Sequence, residues 1–471
     1  MMPRRRLRRA VAVGLACAAG VGARDARAES DEELMAIIRE QQRQIDELSR
    51  KVDALDDRSQ AGASTEASPP PEAAQKVAEH APDIEVKWAP GPTFSSRDGS
   101  WSAHLMGRLL VDGGGLGDGN GAGAYHDSNA TEVRSARIGV EGHFYDAWRY
   151  KLEVDFADDN LDLKDAYIDY GGELVKPAHV RVGQYKVFNS LEWPTNRLFL
   201  TFMERAAIVD AFGLTRQIGI SSGVAGANWG FDAGLFGQNA SDQDTNEGYA
   251  LAARGHYAFL YGSEEGGHVV HLGGSVRYRN FDNDTFDNEI RYSQRPFFHT
   301  TNQRSVDTGT IADAEGDVWA GLEFLWIHGP FSLHSEAANT FLQRKHGEDD
   351  ANNLWGGQLT ASYFLTGEHR AYDPKGGVID RLHVDDPLQA GGVGAWELAA
   401  RGDYIDLNDQ GVRGGKQLSY IAGLNWYAND YIRFLLDGTI TQVFDARNSA
   451  AAVDGERNWI YGAGLRAQVD W

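Results

Sequence analysis

Basic residues recur on the polar faces of short alternating segments and in one irregular stretch between two of those segments. Arg binds an oxyanion through forked pairs of hydrogen bonds, whereas Lys presents a compact point charge. Several such groups in series, each binding weakly, allow an anion to enter a water-filled path and to leave it again. The candidate anion-binding residues are Arg137, Arg181, Lys186, Arg205, Arg216, Arg277, Arg279 and Arg401, and Lys151 is a further candidate.

Each of these residues has a simpler interpretation, an ion pair with a carboxylate of the same polar face, such as Glu141, Glu153 or Asp155. The overall charge also opposes anion binding, because 45 basic and 68 acidic residues give a formal net charge of -23. Such a charge excludes nucleic acid as a partner. If many acids lie in outer loops, the local charge of the path still decides its selectivity; if they line the path, cations pass better. The acidic loop candidates are 241–248, 281–289 and 346–353.

The segments that would position these side chains alternate between apolar and polar residues, which indicates β-strands with one apolar and one polar face. In GAWELAARGDYIDLND (394–409) one face carries Trp396, Leu398, Ala400 and Tyr404, and the other carries Glu397, Arg401 and Asp403. Alternation of this kind suits a soluble sandwich or a membrane barrel. The number of segments, the Trp and Tyr near their ends and an export signal favour the barrel. The first face would then contact lipid and the second would line water.

Seventeen segments between residue 101 and the C-terminus show this pattern. They lie near 101–112, 133–144, 148–157, 162–171, 179–188, 215–225, 228–238, 248–258, 268–281, 287–297, 317–328, 331–343, 354–366, 394–408, 416–427, 431–443 and 458–470. The segment 287–297 alternates poorly and contains Pro296, so its removal leaves about sixteen, an even number. The expected fold is all-β, a transmembrane antiparallel β-barrel of about 16 strands that holds an aqueous channel.

Residues 1–28 form a targeting segment, in which Arg-rich residues precede an apolar run and the small-residue site Ala26-Arg27-Ala28. This layout predicts a cleaved secretory signal; acylation at Cys17, as in a lipoprotein, is the alternative. Cleavage would remove seven Arg and one Asp, for a net charge near -29, together with Cys17, the only cysteine. The mature chain would then have neither a disulfide nor a cysteine ligand. We expect no cofactor and no metal.

Residues 29–58 carry apolar positions spaced four and three apart, the heptad pattern of a coiled coil. The two seams contain Ile38, Ile45 and Val52, and Leu34, Gln41, Leu48 and Leu55. A solvated single helix is the alternative. Residues 59–100 read as a Pro- and Ala-rich linker and lead-in. The predicted organisation is therefore a signal (1–28), a coiled coil (29–58), a linker (59–100) and a barrel (101–471).

Several motifs occur in the order found in one known family. RSARIGVEG (134–142), LDLKDAYIDY (161–170), VGQYKV (182–187) and FMER (202–205) resemble the N-terminal half of the phosphate-selective porin O and P family. YFLTGEHRAYD (363–373), GAWELAARGDYIDLND (394–409), Gly414-Gly415 and GLNWYAND (423–430) resemble its C-terminal half. The resemblance implies a homotrimeric sixteen-stranded barrel in the lipid of the bacterial outer membrane. It also implies passage of small inorganic anions, phosphate in the type members.

Residues 189–212, NSLEWPTNRLFLTFMERAAIVDAF, do not alternate and are long for a hairpin turn. Long irregular segments in compact structures are usually functional. We interpret this segment as a loop that folds into the barrel and narrows the path. A loop on the outer surface is the alternative.

The resulting hypothesis is an outer-membrane porin for passive diffusion of small anions, phosphate or related oxyanions. Its coiled coil would lie in the periplasm, where it would support a trimer or contact the cell wall. The alternatives are a general or cation-preferring porin, and a structural barrel that anchors the envelope through the coiled coil. We expect that the protein is not an enzyme. Residues 219–223 match the G-x-S-x-G pattern of serine hydrolases, but a strand follows them where that motif needs a helix.

Overall fold

A computed structural model describes the region from residue 84 onward, with gaps, and one residue before it. The described residues are 43, 84–88, 90–118, 128–157, 161–241, 248–261, 267–281, 290–312, 314–345, 350–447 and 457–471. The predicted signal (1–28) lies outside them. The predicted coiled coil (29–58), apart from the helical residue Arg43, and the first part of the predicted linker also lie outside them.

Strands dominate the described residues. The first eleven are β1 (Ile84–Trp88), β2 (Pro92–Ser96), β3 (Trp101–Asp118), β4 (Ser128–Phe144), β5 (Trp148–Asp155), β6 (Asp162–Tyr170), β7 (Ala178–Lys186), β8 (Arg216–Ala225), β9 (Trp229–Phe236), β10 (Tyr249–Leu260) and β11 (His268–Asn280). The others are β12 (Ser293–Gln294), β13 (Val306–Asp307), β14 (Ala314–His328), β15 (Phe331–Arg344), β16 (Ala351–Phe364), β17 (Tyr372–Asp373), β18 (Val378–Ile379), β19 (Ala395–Asp409), β20 (Val412–Asn429), β21 (Ile432–Phe444) and β22 (Asn458–Asp470). The longest helix within the described ranges is α1 (Ala207–Phe212). Within those ranges, no helix has the length and apolar character needed to cross a membrane.

Sixteen of these strands form a closed antiparallel ring, because each pairs with the next and the last pairs with the first. The ring runs from β3 to β11 and continues through β14, β15, β16 and β19 to β22. β22 closes it against β3, with Asp470 opposite Arg108 and Ile460 opposite Asp118. The predicted all-β, sixteen-stranded antiparallel barrel is therefore confirmed.

Two segments beside the barrel need separate comment. In the described part of 287–297 only the two residues of β12 are in a strand, and they pair with β13 rather than with the barrel. Within the predicted linker, β1 pairs with β2, and residues 93–95 of β2 pair with the beginning of β3. This part of the chain is thus a hairpin attached to the barrel, whose five-residue strands are too short to give a clear alternation.

Side chains alternate between the two faces of the barrel wall. In β19, Leu398 is 48% exposed on the outer face, whereas Glu397 and Arg401 are 0% and 2% exposed on the inner face. Near the strand ends the outer face carries aromatic side chains, and Trp396 stacks on Trp426 with ring centroids 5.7 Å apart. An apolar outer band with aromatic residues at its margins is the surface that faces lipid.

The two ends of the barrel differ in the length of their connections. At the end that holds Trp101 and Trp471, short turns such as 145–147 and 329–330 join the strands; we name it the short-turn end. At the opposite, long-loop end the connections include 187–215 and 281–313. One connection at the short-turn end, residues 365–394, is long.

Three of these connections fold into the barrel: the inner loop (189–212), the long-end segment (290–312) and the short-end turn (365–394). Amides of the inner loop bond to wall carboxylates. In the long-end segment, Tyr292 Oη donates to Asp317 of β14 at 2.7 Å. In the short-end turn, Tyr372 Oη lies 2.6 Å from His271 Nδ1 of β11. The predicted inward fold of residues 189–212 is confirmed, and the lumen is partly filled.

Candidate functional site

The inner loop is fastened to one side of the barrel by carboxylates that accept its backbone N–H groups. Met203 N donates to Asp437 of β21 at 2.8 Å, and Ala207 N donates to Asp403 of β19 at 3.1 Å. Two further loop amides donate to Glu336 of β15 at 2.9 and 3.0 Å. Buried amides without partners would cost free energy, so these bonds fix the loop against β15–β22.

Arg401, predicted to bind anions, lies beneath this loop and does not line water. Its guanidinium pairs with Glu192 of the inner loop and donates to the Glu204 carbonyl at 3.3 Å. The predicted water-lining neighbours Glu397 and Asp403 are 0% and 1% exposed. All three side chains do point inward, but the inner loop covers Arg401 and Asp403, and Arg370 of the short-end turn pairs with Glu397. The prediction that this face lines water is corrected accordingly.

Arg277 and Arg279 also lie away from open water, contrary to the prediction. Arg277 is fully buried and donates to the carbonyl of Phe212, at the end of α1, at 2.9 Å. Arg279 pairs with Asp317 and lies over the ring of Phe281 at 4.7 Å. Both guanidinium groups therefore hold protein segments together on the inner face of β11.

The inner loop leaves an open space of about 570 Å³ against the wall formed by β3–β8. Ten basic and four acidic residues line this space, which we call the main space. The basic residues are Arg108, Arg134, Arg137, Lys151, Lys164, Arg181, Lys186, Arg197, Arg205 and Arg216, and the acidic ones are Asp155, Asp162, Asp165 and Asp210. The structure thus brings together five of the eight predicted residues, and Lys151 with them.

Most of these cations are paired, but they share carboxylates. Glu153 of β5 accepts from Arg108 at 2.7 Å and from Arg137 at 3.1 Å, and Arg216 lies 3.8 Å away. Further pairs join Arg137 with Asp155, Lys151 with Glu141, Arg216 with Asp165, and Arg181 with Asp169. The ion-pair interpretation of Arg137 is therefore correct too. Because one buried carboxylate serves several guanidinium groups, pairing leaves an excess of positive charge.

Lys186 and Arg205 bind backbone carbonyls of the inner loop. Lys186 Nζ donates to Trp193 O at 2.8 Å and to Thr195 O at 3.1 Å. Arg205 donates to Thr195 O at 3.2 Å and lies over the Trp193 ring at 4.9 Å. These two cations shape the loop as well as contributing charge to the main space.

Glu204 of the inner loop is contacted by three arginines. Its carboxylate lies 3.2 Å from Arg134, 3.0 Å from Arg197 and 3.2 Å from Arg466. Burial raises the pKa of this carboxyl, but the three guanidinium groups outweigh burial and hold its pKa well below the ordinary 4.5. A lowered folded pKa means that the ionised carboxylate stabilises the fold above its unfolded pKa. That contribution is lost as the pH falls through the folded pKa.

We therefore expect Glu204→Gln to lower the melting temperature at neutral pH, because three arginines lose their shared charge. The difference from wild type should persist from about pH 8 to pH 5 and shrink only in more acid solution, where the wild-type carboxyl protonates. Thermal melts of purified protein in detergent, followed by circular dichroism across this range, measure the difference. A difference that stays constant into strong acid would contradict the assignment.

A second, smaller space of about 220 Å³ lies toward the short-turn end. It shares Arg108, Lys151 and Asn196 with the main space, and Arg108 donates to Asn196 Oδ1 at 3.0 Å. Because these three residues line both spaces, we call them the neck. The charged residues that line the second space are Arg108, Lys151, Arg381, Glu141, Glu153 and Asp470. Its charges balance, so the positive excess along the described wall lies on the long-loop side of the neck.

Four basic residues of the main space were missed from the sequence. Arg134 is the extra residue of an irregularity between β3 and β4, where Leu110 pairs with Ser135 and the next pair skips one residue of β4. Lys164 occupies a similar irregularity between β5 and β6. Such bulges re-aim side chains and break the alternation that identifies inward positions. Arg108 lies among apolar residues of β3, and Arg197 lies in the non-alternating inner loop.

A closed sixteen-stranded barrel with a lipid-facing outer band and a charged neck is an outer-membrane porin. Residues 105–470 match the family model described as phosphate-selective porin O and P, and the chain belongs to this family. The family and the fold are those of a channel rather than of an enzyme. Ser221 of the hydrolase-like motif lies within β8, and no cluster of three or more His, Cys, Asp or Glu suited to a metal occurs in the described part of the chain.

Individual relatives agree with this assignment. The chain is 28% identical over 390 residues to Porin O of Pseudomonas aeruginosa, which covers 74% of this chain and 85% of the relative. It is 32% identical over 450 residues to an uncharacterized protein of Caulobacter vibrioides, with 91% and 88% covered. Among solved structures, the anion-selective porin from Comamonas acidovorans has a TM-score of 0.50 at 12% identity, covering 78% of this chain and 99% of that porin. OmpT of Vibrio cholerae also has a TM-score of 0.50 at 12% identity, with 79% and 98% covered. The two solved structures share the fold.

Proposed function

We propose that this porin passes small anions by diffusion and prefers phosphate or related oxyanions. The observation that carries the proposal is the ratio of ten basic to four acidic residues around the main space. When the carboxylates that pair with these cations from outside that lining are added (Glu141, Glu153, Asp169 and Glu204), basic residues still outnumber acidic ones. Every strand from β3 to β8 contributes at least one basic residue to this space.

The clustering of the cations supports the same proposal. Burial, with the neighbouring Arg134 guanidinium, lowers the pKa of Arg197 to about 9. Like charges held this close repel one another, and a bound anion would relieve the repulsion. Guanidinium groups at the wall and on the loop can replace part of the hydration of an oxyanion through charge-assisted hydrogen bonds. Partial pairing with carboxylates keeps each contact weak, so that the ion can leave.

The acidity of the whole chain does not oppose this proposal, because local charge governs a narrow path. Several inward-facing acids are buried against inner segments and do not line the main space. Glu397 and Asp437, for example, are 0% and 3% exposed and bond to protein groups. The net charge of -23 therefore describes the chain and not its lumen.

The remaining parts of the proposal concern placement and assembly. The short-turn end would face the periplasm, since bacterial barrels place their short turns there. Residues 1–28 would be removed on export, and the coiled coil (29–58) would lie in the periplasm, where it would support a homotrimer or contact the cell wall. The homotrimer is proposed because the resemblance to the family implies one.

The test is a planar-bilayer measurement on purified full-length protein in a KCl gradient. We expect a reversal potential of the sign produced by chloride passage, and a chloride current that falls as phosphate is added. Cation selectivity without block by phosphate would overturn the anion mechanism while leaving the barrel in place. In that case the acidic residues would determine the ion selectivity of the pore.

A further inference from the structure

Apolar and aromatic side chains line part of the main space beside the cations. They are Leu163, Tyr167, Tyr185, Phe188, Trp193 and Pro194. The ring centroids of Tyr167 and Tyr185 are 5.9 Å apart, and those of Tyr185 and Phe188 are 6.4 Å apart. Tyr185 itself is 2% exposed, so the half-buried Tyr167 and Phe188 supply the aromatic surface of this group. A hydrated inorganic ion gains nothing from such a surface.

Some of these rings hold cations in place. Arg181 lies 4.3 Å over the Tyr167 ring, and Arg205 lies 4.9 Å over the Trp193 ring. Phe188 differs from them, because its ring contacts are with Tyr185 and Phe236. It is half-buried and lines the main space two residues after Lys186. Phe188 thus presents carbon surface next to positive charge.

The main space is also larger than an inorganic oxyanion requires. A cavity of roughly 150 Å³ suffices for a benzene ring, and drug-sized ligands occupy pockets of roughly 300–1,000 Å³. The main space of about 570 Å³ accommodates a headgroup at the arginines together with an organic group on the rings. The headgroup and the organic group can therefore contact the same wall at the same time.

We infer that the channel also binds and passes organic oxyanions in which an aromatic group is attached to a phosphate-like headgroup. This inference rests on the proposed anion function and extends it to a substrate class. The headgroup would engage the cations of β3–β8, and the ring would pack on Phe188, since Arg181 already lies over the Tyr167 ring. Contacts between aromatic rings would tighten binding by between about twofold and tenfold.

The test compares phenylphosphonate with methylphosphonate and inorganic phosphate as blockers of the chloride current through the full-length protein. At a pH above the second ionisation of both phosphonates they carry the same headgroup with the same charge, so their difference reports the ring. We expect phenylphosphonate to reach half-block at a concentration about two to ten times lower than methylphosphonate. Phe188→Leu, which retains apolar volume, should reduce that difference and leave inorganic phosphate unaffected. Phe231→Leu is the matched control, because Phe231 is 48% exposed on the outer face of β9.

The outcomes separate this inference from the proposed function. Anion selectivity with equal half-block by the two phosphonates in the wild-type channel would overturn the inference alone. That comparison needs no variant, so it holds even if Phe188→Leu folds poorly. Cation selectivity without block by any of the three compounds would overturn both the inference and the proposed function.

Discussion

Replacing Arg108 and Lys151 together with glutamine is expected to weaken block by phosphate at least tenfold. Both side chains line the neck where the main space meets the second space. A hydrogen bond to a charged group contributes about 1.5–3 kcal/mol, and about 1.4 kcal/mol corresponds to a tenfold change in affinity. The reversal potential should also move toward zero, since the residues that line both spaces lose both of their cations.

The fold should tolerate this double replacement. Without Arg108, Glu153 still pairs with Arg137 at 3.1 Å and lies near Arg216, so no buried carboxylate is left alone. Without Lys151, the carboxylate of Glu141 remains 43% exposed to solvent. The double replacement should therefore change phosphate block and reversal potential rather than the stability of the fold.

Arg149→Gln is the matched control for the neck. Arg149 lies on β5 with Lys151, but its side chain is 58% exposed and pairs with Asp169 at 2.6 Å. It belongs to the lining of neither space. We expect the control to retain wild-type reversal potential and phosphate block. Retention of both by the neck variant as well would locate the phosphate site elsewhere in the barrel.

The alternation of apolar and polar residues was sufficient to predict the barrel wall. It reports which side chains point inward, and Glu397, Arg401 and Leu398 lie on the faces that it assigned. It does not report whether an inward side chain meets water or protein. For Arg401 that depends on Glu192, which lies 209 residues away along the chain. A local pattern contains no information on such a contact.

Local departures from the alternation account for other differences. The irregularities at Arg134 and Lys164 add inward cations that a strict period of two assigns to the outer face. The short-end turn (365–394) also had no predicted inward fold, although Ile379 N of this turn donates to Thr195 Oγ1 of the inner loop at 3.3 Å. Barrel turns at this end are usually short. The short-end turn is a long exception, and it packs against the inner loop from the short-turn end.

The second large effect is expected when the ion pair that holds the inner loop to the barrel wall is broken. Arg401→Met would leave the Glu192 carboxylate buried without its guanidinium partner, and the side chains of the pair are 1% and 2% exposed. Removal of one partner of a buried pair costs about 3–5 kcal/mol. Because Glu192 also accepts from Ala206 N at 2.7 Å, a turn within the loop loses its support. We expect easier unfolding in urea, and a larger and noisier single-channel conductance as the loop moves away from β19.

The double variant Arg401→Met/Glu192→Met separates a buried charge from a lost contact. Replacing both members of a buried ion pair by apolar residues is often close to neutral, so most of the lost stability should return. Arg413→Met is the control, because it also removes an arginine but from an exposed position on the adjacent strand β20. If the double variant regains stability but keeps the enlarged conductance, the ion pair positions the loop more than it stabilises the barrel. If Arg401→Met leaves both stability and conductance unchanged, Asp403, Asp437, Glu336 and the wall arginines are sufficient to hold the inner loop, and the pair with Glu192 is dispensable.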